Sequence, residues 1–60
     1  MKIARVETTT AGTVNFSIEK HGDLYCVKIG QFYVGGRDDH ELRQGLHALI
    51  PLTIKVEFEN

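Results

Sequence analysis

The 60-residue chain has one cysteine, one proline and no tryptophan, and each scarcity removes a class of protein. With Cys26 alone, the chain has no internal disulfide framework and no multi-cysteine zinc site, so a small core must hold itself together. No apolar run longer than Ala48-Leu49-Ile50-Pro51-Leu52 occurs, far short of the roughly 20 residues that span a bilayer. The N-terminus, Met1-Lys2-Ile3-Ala4-Arg5-Val6-Glu7, has no apolar segment of the secretory kind, so the expected setting is the cytoplasm, without a membrane partner. Charge of one sign is lacking too. Seven Lys or Arg face eight Asp or Glu, and neither half of the chain concentrates enough positive charge to build a field for polyanions.

At this length one domain is expected, burying roughly 60% of the surface of its unfolded chain, so stability is modest and self-association would add to it. The clearest pattern is Thr13-Val14-Asn15-Phe16-Ser17-Ile18-Glu19, a strict apolar-polar alternation that predicts a strand with Val14, Phe16 and Ile18 inward. After Lys20-His21-Gly22-Asp23, the run Leu24 to Ile29 predicts a second strand with Tyr25, Val27 and Ile29 inward. The two form a hairpin. Both inner sets reach one face only if the loop is even, either His21-Gly22, pairing Ile18 with Tyr25, or Gly22-Asp23, which slides the register by two.

Lys2 to Thr8 reads as a further strand with Ala4 and Val6 on one side and Ile3 on the other. Val6 reaches the core face only if the Thr-rich connection to the next strand is odd-numbered or bulged. Phe32-Tyr33-Val34 is either a short strand turned by Gly30-Gln31 or the end of one longer strand bulged at Gly30. Asp38 then reads as a helix N-cap, with Glu41 three residues on as in a capping box. Leu42, Gly45, Leu46, Leu49 and Ile50 form an apolar stripe, with Arg43, Gln44 and His47 away from it. Gly45 costs about 1 kcal/mol against Ala in a helix interior, which is explained if the helix must approach the sheet closely. Pro51 ends the helix. Leu52 to Glu59 alternates again, with Leu52, Ile54, Val56 and Phe58 inward.

The expected fold is therefore α+β: a small antiparallel sheet of three to five strands with one helix on one face, in the order β-β-β-(β)-α-β. The expected core is Val6, Val14, Phe16, Ile18, Tyr25, Val27, Ile29, Leu42, Leu46, Leu49, Ile54, Val56 and Phe58. The other sheet face, carrying Thr13, Asn15, Ser17, Glu19, Cys26, Lys28, Thr53, Lys55 and Glu57, is left for water or a partner.

The candidate chemistry is sparse. His40 and His47 are seven apart, whereas a helical zinc pair favours three or four. Cys26 has no base adjacent in sequence, and at strand rise His21 lies about 16 Å along the chain. Gly35-Gly36-Arg37 precedes a helix start, which attracts anions, but Asp38 and Asp39 already occupy that positive end. No catalytic residue, metal or cofactor is expected. The candidate interaction surface is instead Lys28, Phe32, Tyr33 and Arg37, the helix edge of His40, Arg43 and His47, and the closing-strand residues Lys55, Glu57 and Glu59. Edges at Lys2 to Thr8 and Leu52 to Asn60 could add a strand from another chain. The expectation is a non-enzymatic, regulatory protein-binding module, with a homodimer among its assemblies. The alternative is weak single-stranded nucleic-acid binding, with Phe32 and Tyr33 as stacking platforms beside Lys28 and Arg37. The order of hairpin, acidic-capped helix and closing strand resembles, in architecture alone, small phage-encoded proteins that act on host machinery. That resemblance implies an accessory protein of phage or plasmid type.

Overall fold

The computed structural model describes all 60 residues. Five strands, β1 (Ile3–Thr8), β2 (Gly12–His21), β3 (Leu24–Ile29), β4 (Phe32–Gly36) and β5 (Thr53–Glu59), accompany one helix, α1 (Asp39–Leu49), placed between β4 and β5 in sequence. The sheet is antiparallel throughout, in the order β4-β3-β2-β1-β5.

The turns decide the faces. Thr8 pairs with Gly12, so the first connection is Thr9-Thr10-Ala11, an odd loop, and Val6 does turn to the core face. Thr8 holds this loop with its hydroxyl, which accepts from Ala11 N–H at 2.9 Å and donates to Gly12 O at 3.1 Å. His21 pairs with Leu24 and Ile18 with Val27, which selects Gly22-Asp23 as the second loop. Gly22 has φ of 63°, and a positive φ at the first loop position is what a type II′ turn requires. Gly30, with φ of 62°, repeats the device, so Phe32 pairs with Ile29 in a separate strand.

The inner face buries Ala4, Val6, Ile18, Val27, Val34 and Val56 against Leu42 and Leu46. Phe16, Tyr25, Ile29, Ile50 and Phe58 pack around them, half-buried. Val14, expected in the core, is half-buried and stands apart from this cluster, and Leu52, expected inward, is exposed. Two further expected core residues lie outside. Leu49 is exposed because the inner place of the last helical turn goes to Ile50. Ile54 is 58% exposed, since Glu7 pairs with Lys55 but Thr8 with Thr53, leaving Ile54 as the extra residue of a β-bulge. Ala4 and Val34 are core residues missing from the expected set.

Helix and sheet are in close contact at two glycines. A Cβ on Gly45 would stand 2.6 Å from Val34 Cγ1, and one on Gly36 would stand 2.8 Å from Leu42 N. The helix start is capped as expected: Asp38 Oδ1 accepts from Glu41 N–H at 3.0 Å. Glu41 reaches back one residue further than in a standard capping box, accepting from Arg37 N–H at 2.6 Å.

Candidate interaction surface

Strand order corrects the expected edges. β1 lies between β2 and β5, so Lys2 to Thr8 has no free edge, because β5 returns across the helix to cover it. The free edges are β4 and β5.

Hydrogen-bond phase shows which backbone groups each edge presents. Ile18 N–H donates to Lys2 O at 2.7 Å, so even-numbered residues of β1 turn their backbone groups toward β2. Val56 faces Val6 and therefore points its N–H and C=O outward, away from β1. There Arg43 meets it. Its Nε and Nη2 both lie 3.4 Å from Val56 O, and its guanidinium stacks 5.1 Å from the Phe58 ring centroid. Arg43 is thus half-buried and engaged, which corrects its placement on a free helix edge. A long side chain lays its stem on apolar surface while its charged head finds polar partners. β5 carries other guards as well: the Ile54 bulge, an ion pair of Lys55 with Glu57 at 3.1 Å, and another of Glu59 with Arg5. Bulges and charges are the usual protection of a sheet edge.

β4 differs in every respect. A two-residue hairpin closes on a hydrogen-bonded pair, here Ile29 and Phe32, so Phe32, Val34 and Gly36 face β3 and the N–H and C=O groups of Tyr33 and Gly35 point outward. The strand Phe-Tyr-Val-Gly-Gly has no charged residue. Phe32 and Tyr33 are 65% and 64% exposed.

The two aromatics do not form one platform. Tyr33 pairs with Lys28 on the outer face, whereas Phe32 is on the helix side with Ile29. Beside Tyr33 the outer face holds a shallow groove of about 420 Å3, lined by Asn15, Ser17, Glu19, Cys26, Lys28 and Tyr33 among others. It forms where the sheet divides: β2 pairs with β1 through Gly12 to Ser17 and with β3 from Ile18 to His21. Beyond the Ile18–Val27 rung the ladder ends and the half-sheets part.

The chain matches no family model, no curated protein and no solved structure at a significant level.

The remaining sequence candidates are dispersed. Arg37, His40 and His47 are exposed on or beside α1, while Lys55, Glu57 and Glu59 lie on the outer face of β5. Folding brings His21 diagonal to Cys26, because Glu19 is opposite Cys26 and His21 opposite Leu24. Such neighbours stand about 7–8 Å apart, closer than the count along the chain implies. The His21 ring is taken by Glu19 at 3.0 Å, and no hydrogen bond joins it to the thiol. At Gly35-Gly36-Arg37, the amides of Arg37, Glu41 and Leu42 are bonded to Glu41 and Asp38, so this turn satisfies its own donors. The open β4 edge is absent from the sequence reading, although its signal is there: a strand without charge, ending in two glycines.

Proposed function

We propose that the chain is a small non-enzymatic protein-binding module that takes an extended segment of a partner onto the free edge of β4. One observation carries this reading: of the two sheet edges, β5 is guarded by a bulge, ion pairs and Arg43, and β4 is unguarded, uncharged and flanked by two exposed aromatics. Strand addition supplies backbone hydrogen bonds, and side-chain contacts on alternate positions supply selectivity. Residues of the added strand on the outer face would meet Tyr33 and the groove beside Lys28, and those on the inner face would meet Phe32. A regulatory accessory protein in the cytoplasm, of phage or plasmid type, is the setting this reading fits.

The nucleic-acid alternative is less well supported, since stacking of successive bases needs aromatics on one face and Phe32 and Tyr33 are on opposite ones.

The test is capture of partners from native extract by the wild-type chain and by Gly35→Pro. Proline removes the outward N–H of residue 35 and is tolerated at an edge, and a Cβ there meets nothing nearer than Tyr25 O at 3.8 Å. A partner held by the wild type and released by the folded variant supports the proposal. Equal capture by both refutes it.

A further inference from the structure

We infer that the β4 edge pairs with β4 of a second copy of this chain, antiparallel about a two-fold axis at Val34. This rests on the reading of β4 as a strand-accepting edge and names an occupant for it.

The pairing follows from hydrogen-bond phase. Only Tyr33 and Gly35 present outward backbone groups, so an antiparallel partner bonds fully when residue 33 of one copy faces residue 35 of the other. That register puts Val34 opposite Val34. Its four N–H···O=C bonds use the N–H and C=O of both residues in both copies. Moving the centre to Tyr33 or Gly35 leaves one of these residues facing a turn.

Side-chain size agrees with the same register. Tyr33 lies opposite Gly35 of the second copy on the outer face, where a Cβ would meet nothing nearer than Tyr25 O at 3.8 Å. Tyr33 thus covers a position without a side chain, and cross-strand aromatic–glycine pairing is an established means of stabilising edge glycines. On the inner face Phe32 lies opposite Gly36, which Glu41 and Leu42 already cover, so its ring would rest beside the helix start of the second copy. Faces match as well, because 33 and 35 are both outward and 32 and 36 both inward. No charge opposes another: β4 carries none, and Arg37 falls opposite Gln31.

Area sets the strength. Each aromatic side chain has roughly 150–250 Å2 to bury, and at about two-thirds exposure four rings withdraw at most roughly 500 Å2 from water. With the short strands added, the total stays below the about 1,200 Å2 of a stable standard-size interface. The dimer is therefore weak and concentration-dependent, and its two-fold contact closes without leading to a filament.

β5 is the competing edge. Centred on Val56 it would set Lys55 opposite Glu57 of a second copy, a favourable pair. Lys55 already holds Glu57 of its own strand, Arg43 occupies Val56 O, and the bulge removes Ile54 from register with Phe58.

The test is sedimentation equilibrium of the purified full chain from roughly 5 to 500 µM, a range set by the small area, with amide exchange followed by NMR at both ends. The expected mass rises from monomer toward dimer. Protection of the Tyr33 and Gly35 amides rises several-fold with concentration, and that of Val56 and Phe58 does not. Gly35→Pro and Tyr33→Lys, each checked as folded by circular dichroism, weaken association about tenfold or more, the first by the scale of losing two edge bonds and the second by removing the ring that covers Gly35 and placing a charge on the edge. A monomer at every concentration overturns the inference, as does a dimer undiminished in both folded variants or concentration-dependent protection at Val56 and Phe58. If neither variant folds, the wild-type exchange pattern decides. A monomeric chain that still captures a partner through Gly35 leaves the proposed function standing; capture indifferent to Gly35→Pro removes it whatever the sedimentation shows.

Discussion

Substituting Gly45 by alanine sets two effects of opposite sign against each other, and the structure gives their sizes. In an exposed helix the change stabilises by about 1 kcal/mol. Here the new methyl would stand 2.6 Å from Val34 Cγ1, against the roughly 3.5–4.0 Å of comfortable carbon contact. Val34 is buried and, being β-branched, has little rotameric freedom with which to retreat. Overpacking of this kind costs about 1–3 kcal/mol, so Gly45→Ala is expected to destabilise by about 1 kcal/mol net. Val34→Ala alone removes two buried methyls and should cost about 2 kcal/mol. In that background the methyl added at position 45 has room, the helical preference is unopposed, and the same substitution becomes stabilising by about 1 kcal/mol. The double-mutant cycle should therefore show about 2 kcal/mol of coupling, well outside the roughly 0.3–0.5 kcal/mol scatter of independent sites. Urea denaturation of the four proteins at low micromolar concentration, followed by far-ultraviolet circular dichroism, measures it. Gly45→Ala that stabilises the wild type and adds independently to Val34→Ala would refute the close approach of helix to sheet.

Gly36→Ala should cost more than Gly45→Ala, about 2–3 kcal/mol, because its methyl would meet the backbone N of Leu42 at 2.8 Å; Val34→Ala should not rescue it in a urea titration. Asp38→Ala deletes the acceptor of the Glu41 N–H and should lower stability by about 1 kcal/mol, seen as a fall of about 4–8 °C in the thermal midpoint. Thr53→Val removes a buried hydroxyl that has no hydrogen-bond partner and keeps the side-chain shape, so denaturation should show a gain of about 0.5–1 kcal/mol. Arg43→Ala frees Val56 O and uncovers the Phe58 ring. It should cost about 1 kcal/mol and produce self-association, by sedimentation, that Gly35→Pro does not suppress.

Periodicity and turn chemistry made most of the fold readable. The alternation of Phe16 and Ile18 and of Val56 and Phe58, the Asp38 cap and the cost of Gly45 each have a local cause, and each is found in place. Legibility failed where a residue's role depends on a neighbour distant in sequence. Ile54 continues the alternation of β5 and is nonetheless expelled, because the bulge exists only relative to β1. Arg43 lies off the apolar stripe of the helix and is nonetheless engaged, because β5 passes within reach of its long side chain. Cys26 and His21 are remote along the chain and become diagonal neighbours once the hairpin closes.

The surface that carries the proposed function belongs to this second kind, since whether a strand is an edge is a property of strand order. That order has its own physical logic. Four strands joined by short loops lie side by side from β1 to β4, leaving β5 a choice between the two outer edges. With alternating directions β5 runs parallel to β4 and antiparallel to β1, so only beside β1 does it complete an antiparallel ladder, the more stable pairing per residue. To get there the chain must cross four strand spacings of about 4.8 Å, or about 19 Å, and also return along the strands, because β5 starts at the opposite end of the sheet from the end of β4. The 11-residue helix spans about 16 Å at roughly 1.5 Å per residue, and the connecting segments Arg37-Asp38 and Ile50-Pro51-Leu52 supply the remainder of this diagonal path. A helix of this length therefore delivers β5 to the far edge, where Arg43 on that same helix can guard it, and leaves β4, with its two aromatics and two glycines, as the edge without a partner.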